Sequence, residues 1–194
     1  MAEILLVRHA SHGHVGTVLS GRQPHLALTE AGRGEARSLA GRIAATKPDR
    51  IQTSPVQRAG ETAAIIAAAC DLPEPEIVPA LDEIDFGTWT GQPFTALEHD
   101  LRWREWNRAR GAGQAPGGET MAAARDRAWR HILAAPAGRT VMVTHCDIVR
   151  AVAATAAGLS LDRIFDFDVP PTGGVSLLRA GGRLHLAQVM ELAA

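Results

Sequence analysis

Lysine is almost missing from this chain: Lys47 is the only one, and arginine supplies the rest of the 20 basic residues. A GC-rich coding bias, which the many alanines support, accounts for that count. It does not account for where the arginines fall. Cysteine is scarce as well. Cys70 and Cys146 lie far apart, which argues against a disulfide framework and suits free thiols in a reducing cytoplasm. Neither sign of charge dominates: 20 basic against 21 acidic residues leave a net charge of −1. No global field therefore draws the chain to nucleic acid or to an anionic membrane. Long hydrophobic runs are lacking too. The longest, near Ala63 to Cys70, falls far short of the ~20 residues that span a bilayer. The N-terminus lacks a basic region followed by an apolar segment and a small-residue cleavage site, so no signal peptide is expected and a cytoplasmic location is. Repeats, low-complexity tracts and flexible linkers are absent.

What is present fits one soluble globular domain over residues 1–194, with 46% apolar and 21% charged residues to build a core and a surface. Ile4 to Val7 reads as a buried strand. Thr29 to Ala45 reads as a helix capped by Thr29, with Ala36, Leu39, Ala40 and Ile43 at helical spacing. Arg50 to Thr53 is a second strand. Ser54 and Pro55 are expected to open the next helix as N-cap and first residue. A short strand near Ile77 and Val78 follows. Residues 81–117 are less regular, hold Trp89, Trp103 and Trp106, and are expected to form an insertion over the sheet. A helix is predicted from about Glu119 to Leu133, a strand over "RTVMVTH", and a helix from Asp147 to Ala157. Val175 to Leu178 and Leu184 to Val189, split by Gly181-Gly182, predict a closing hairpin. Alternating strands and helices imply a three-layer α/β/α sandwich with a mostly parallel sheet.

In such sheets ligands bind at the carboxyl ends of the strands. Three strand ends here carry polar chemistry: Arg8-His9, then Thr53-Ser54 leading to Arg58, then His145. Two guanidiniums beside two imidazoles suit a phosphoryl group, because arginine offers paired planar donors and stays charged. A helix N-terminus near Ser54 adds anion affinity. A neutral imidazole nitrogen can attack phosphorus and form a phosphohistidine that water later hydrolyses. The segment "LDEIDFGTWTG" supplies Asp82, Glu83 and Asp85 as candidate general acids.

The segments "LLVRHA", "SGRQPHLALTEAG", "TSPVQRAGETA", "LDEIDFGTWTG", "APGGET" and "VMVTHCDIVRAV" resemble, in order, those of the histidine phosphatase superfamily, the phosphoglycerate mutase-like family. The resemblance implies a phosphoglycerate mutase-like fold and a phosphatase acting on a small-molecule phosphate ester, with no cofactor and no metal. It makes His9 the phosphorylated nucleophile, Arg8 and Arg58 the phosphate holders, His145 a donor to a phosphate oxygen, and Glu83 the proton donor. Further phosphate or substrate contacts are expected from Gly21, Arg22 and the backbone N–H of Cys146. Trp89 is expected near Glu83 at the pocket wall. The chain departs from the pattern at Ala10, where the family has Gly, at Val15, where many members have Asn, and at Thr90, where the family has Glu. Thr17, Ser20 or His14 would then replace the lost donor.

Three of the eight histidines, His9, His12 and His14, lie within six positions. His12-Gly13-His14 and His145-Cys146-Asp147 also admit a metal-dependent hydrolase. Against it stand the unexplained arginines, which repel a divalent cation. A phosphoglycerate mutase-type transfer keeps the same residues but needs an enclosed cap. A phosphate-binding module without catalysis would need a lost catalytic residue. His12 and His14 are placed on the pocket rim, and a homodimer is admissible.

Overall fold

The computed structural model describes residues 1–190. Its strands are β1 (Ala2–Arg8), β2 (Arg50–Thr53), β3 (Glu76–Ile77), β4 (Gly138–Thr144), β5 (Gly174–Ala180) and β6 (Arg183–Met190). They form one sheet in the order β3-β2-β4-β1-β5-β6. The first four run parallel, and β5 and β6 are antiparallel. The helices are α1 (Glu30–Ala44), α2 (Gln57–Ala69), α3 (Phe94–Leu97), α4 (Leu101–Arg108), α5 (Met121–Leu133) and α6 (Cys146–Ala156).

The period of two in a strand divides the core into two layers. Leu5 and Val7 of β1 join Ile51, Val141 and Val143 beneath α1 and α2. Ile4 and Leu6 face the other way, with Met142, Val175 and Leu177, beneath α5 and α6. Both faces of β1 are therefore covered, which is why "ILLV" is a continuous apolar run. The expected hairpin is longer than its apolar residues indicated, and Gly181 and Gly182, at φ +57° and +73°, make its turn.

Local signals place most ends. Thr29 Oγ1 accepts the Gly32 N–H at 3.0 Å, so α1 starts where expected. Thr120 Oγ1 accepts the Ala123 N–H and opens α5 two residues beyond Glu119. The expected start of α2 is corrected: Ser54 is not its cap. The helix begins at Gln57 behind Val56, without a side-chain cap bond. The Ser54 hydroxyl is drawn instead to Asp82 and His145. Residues 81–117 hold α3 and α4, which the sequence pattern did not predict. Their tryptophans pack edge-on: Trp89 against Trp103 at 5.2 Å between centroids, and Phe86 against Trp106 at 6.3 Å.

Leu6 is fully buried between β4, β5 and the α5–α6 layer. Leu6→Ala is expected to cost about 2–5 kcal/mol. Urea unfolding checks this; a loss under about 1 kcal/mol would mean that β1 is not central to the core.

Candidate active site

The sheet register brings the three strand ends together. β1 and β4 are parallel neighbours with Arg8 opposite Thr144, and β4 and β2 pair Val143 with Thr53. The His9 N–H donates to the Thr144 carbonyl at 2.9 Å, and the Ser54 N–H to that of Val143 at 3.0 Å. His9 and His145 thus leave adjacent strands with their ring centroids 5.2 Å apart. Arg58, in the first turn of α2, reaches between them. All three side chains are buried.

A guanidinium only donates, so its contacts fix both imidazole tautomers. Arg58 Nε donates to His9 Nε2 at 3.1 Å, and His9 Nδ1 donates to the Ala10 carbonyl at 2.8 Å. His9 Nε2 therefore carries a lone pair and no proton. Arg58 Nη2 donates to His145 Nδ1 at 3.3 Å, so His145 Nε2–H donates to Ser54 Oγ at 2.8 Å. The Ser54 hydroxyl in turn donates to Asp82 Oδ1 at 3.1 Å. Burial first, and the Arg58 charge second, hold both imidazoles well below the usual histidine range, so both are neutral.

Of the three candidate acids, only Glu83 reaches the cavity. Its Oε1 accepts the Ile84 N–H at 2.9 Å, and its Oε2 lies 3.8 Å from His145 Nδ1. Burial pushes its pKa up to about 7, and the Asp147 charge adds to the rise. Burial works against the charged form of Asp147 as well. Arg110, bonded to it at 2.7 Å, and Arg150 outweigh that and keep Asp147 ionised. Asp82 stands behind, accepting from the Ser54 hydroxyl and the Glu83 N–H. Asp85 accepts the Gly87 N–H, in a turn where Gly87 has φ +52° and a side chain would strike the Pro116 carbonyl.

Arg22, expected as a substrate contact, does not line this cavity. Its Nε donates to the Glu83 carbonyl at 2.7 Å and its Nη2 to Glu119 Oε2 at 2.7 Å. Arg127 Nη2 donates to the same carbonyl at 2.7 Å, and Glu119 bridges both arginines. Arg22 thus clamps the backbone of the acid segment from outside the cavity, because four nearby carboxylate and carbonyl groups hold its guanidinium there. Trp89 is also displaced from its expected place. It is buried, with Nε1 donating to Asp100 at 3.0 Å, and Trp103 takes the cavity wall.

Arg8, Gly21 and Cys146 border the cavity. Arg8 Nη1 donates to the Val169 carbonyl at 2.8 Å, and its buried Nε has no partner among the described residues. Gly21 has φ +49°, and its carbonyl accepts Arg58 Nη2 at 2.6 Å. A Cβ there would meet Thr90 Oγ1 at 2.8 Å. Burial pushes the Cys146 thiol up to about 11, so it is no nucleophile at neutral pH; its N–H belongs to the first turn of α6, where donors lack helical acceptors. His12, His14, Val15 and Ser20 also line the cavity. The His12–His14 pair gathers no third ligand: among the described residues no group of three His, Cys, Asp or Glu side chains is placed to hold a metal ion.

The cavity offers about 360 Å³, and its far wall comes from Phe86, Phe94, Trp103, Asn107, Arg110 and Phe165. The insertion expected over residues 81–117 supplies five of these six residues; Phe165 and the roles of Arg110, Arg127 and Arg150 were not foreseen. One signal was available: Asp147 and Arg150, three residues apart in a helix, must share the face that follows His145.

Residues 4–191 match the family model of the Histidine phosphatase superfamily (branch 1). The chain belongs to this superfamily. Adenosylcobalamin/alpha-ribazole phosphatase of Salmonella typhimurium is 34% identical over 96 residues, which are 49% of this chain and 46% of that protein. The chain thus spans about half the length of the curated relatives it matches. Bacillus stearothermophilus YhfR shares the fold with a TM-score of 0.87 and 26% identity, over 96% of each chain. Phosphoserine phosphatase of Entamoeba histolytica, solved with 3-phosphoglyceric acid, has a TM-score of 0.85 and 22% identity, over 100% of this chain and 98% of that one. The phosphoglycerate mutase-like α/β sandwich follows from these likenesses.

The split between Glu83 and Asp147 gives a direct check. Carboxyl ¹³C NMR should show Glu83 titrating near pH 7. Asp147→Asn removes the neighbouring negative charge and leaves Arg110 and Arg150 uncompensated, so the Glu83 pKa should fall. A Glu83 signal that stays put or moves upward in this variant would contradict the coupling.

Proposed function

We propose that this chain is a metal-independent phosphomonoesterase that passes the phosphoryl group through His9. The observation that carries this reading is the unprotonated His9 Nε2, set 3.1 Å from the Arg58 guanidinium and bordered by Arg8. An arriving phosphate draws the arginine donors to its oxygens and frees the lone pair. The lone pair attacks phosphorus, a P–N bond forms, and the ester P–O bond breaks. Glu83, protonated up to about pH 7, gives its proton to the leaving oxygen. The resulting carboxylate then takes a proton from water as that water attacks the phosphohistidine. The P–N bond breaks, inorganic phosphate forms, and Glu83 is protonated again. His145, once Arg58 turns toward the anion, takes at Nδ1 the proton that a monoanionic ester brings and returns it as a hydrogen bond to a phosphoryl oxygen.

The wall opposite the nucleophile frames the leaving group. It combines aromatic faces with Asn107 and Arg110, and the loop carrying Val15 and Val18 closes the other side. Such a lining suits a small ester that presents both an apolar face and hydrogen-bond acceptors. Sugar phosphates, phosphoglycerates, α-ribazole phosphate and other nucleotide-like esters are the candidates. The α-ribazole phosphatase name of the curated relatives supports the last group. A screen over these esters, with phosphoglycerate isomerisation assayed alongside, separates phosphatase from mutase.

His9→Ala should abolish turnover and covalent phosphorylation; full activity in this variant would overturn the mechanism. Glu83→Gln should slow an alkyl phosphate about 10²–10⁴-fold and a nitrophenyl phosphate far less. Equal losses on both would take the proton-donor role away from Glu83. In the free enzyme, kcat/KM for the alkyl ester should fall as pH rises through about 7, because the proton on Glu83 is lost there, and Glu83→Gln should remove that limb.

A further inference from the structure

The imidazoles of this site form a row. His145, His9, His12 and His14 follow one another with ring centroids 5.2, 5.1 and 6.1 Å apart. The proposed reaction uses the first two and leaves His12 without a role. Yet His12 borders the cavity, is only 7% exposed, and packs beside His9 with the two rings tilted by 49°. Its backbone is pinned by a bridge to Leu28, and its carbonyl accepts the Val15 N–H at 3.2 Å.

The tautomer of His12 follows from its neighbour. The His14 N–H donates to His12 Nδ1 at 3.3 Å, so the ring's proton sits on Nε2. That N–H has no protein acceptor among the described residues. Ser20 Oγ and His14 Nδ1 also lack partners among the described residues at this cavity, but of the loop's rings it is that of His12 that lies beside His9, at 5.1 Å between centroids. Val15 has no side-chain donor, and Thr17 Oγ1 is bonded to the His14 carbonyl at 3.2 Å.

We infer that His12 is a further ligand of the transferring phosphoryl group, donating from Nε2 to a phosphoryl oxygen beside the His9 attack point. Burial, with the charges of Arg58, His14 and Arg8, lowers its pKa to about 4, so it serves as a neutral donor. Arg8 and Arg58 supply the charge, and His12 adds direction without a third fixed cation. The inference rests on the phosphatase reading above.

The test is inhibition by orthovanadate, which mimics the transferring phosphoryl group, measured on the full chain with nitrophenyl phosphate as reporter. His12→Phe keeps the ring's bulk and loses the donor; its vanadate inhibition constant should rise roughly ten- to hundredfold. His12→Gln places an amide N–H near the position of Nε2 and should stay within about threefold of the unmodified chain. Phe binding vanadate as tightly as histidine, or Gln as weakly as Phe, would overturn the role. An unmodified chain that neither binds vanadate nor turns over the aryl ester would instead overturn the phosphatase reading itself.

Discussion

Arg58 is buried without a hydrogen-bonded carboxylate, and the rest of the site is arranged around that fact. Its donors end on two backbone carbonyls and two imidazole nitrogens. A cation taken from water at such a place is costly unless opposite charge lies near. Burial does lower its pKa, and the charge that opposes this comes from Glu83 and Asp82 at longer range. In the proposed reaction, a phosphate dianion supplies directly what the free protein gives Arg58 only at a distance. The same guanidinium keeps protons off both imidazole nitrogens it touches. Under the proposed function, anion affinity and nucleophile activation thus come from one side chain.

The acid side of the pocket depends on keeping two carboxyl groups in different states. Asp147 has Arg110 at 2.7 Å and Arg150 at 3.6 Å, and remains ionised. Glu83 has no such partner at its carboxylate. Its arginines, Arg22 and Arg127, bond its backbone carbonyl instead. They fix where the carboxyl sits without pinning its charge. Environments that push neighbouring carboxyl groups apart are how one site holds an acid and an anion together.

Much of this was legible in the sequence, for physical reasons that differ by element. β1 and β4 are apolar on both faces, so "ILLV" and "VMV" announced buried parallel strands, and the residues after them announced the site. Thr29 declared its cap because a capping hydroxyl acts locally. Ser54 misled because the same hydroxyl had a non-local claim: Asp82 and His145 reach it before the backbone of α2 does. Arg22 was legible as important but not in its role, since its partners Glu83 and Glu119 are 61 and 97 positions away. Helices α3 and α4 were missed because they are short, of four and eight residues, and lie among packed tryptophans in an otherwise irregular stretch.

The two halves of the cavity are built by different means. The half around His9, Arg58 and His145 hangs on strand ends fixed by backbone ladders, so its geometry is set by sheet register. The half around Trp103, Asn107, Arg110 and Phe165 is held by side chains reaching across separate segments. Arg110 lies over the Trp106 and Phe165 rings at 5.0 and 5.1 Å, ties Asn107 to Asp147, and so joins the segment after α4 to α6. Phe165, half exposed, also receives Arg150 at 5.4 Å. Changes to that wall can reshape the cavity without moving His9, Arg58 or His145, because no strand of the sheet passes through it. The departures from the family pattern at Val15 and Thr90 likewise fall in loops beside the cavity, outside the strands that set the chemistry.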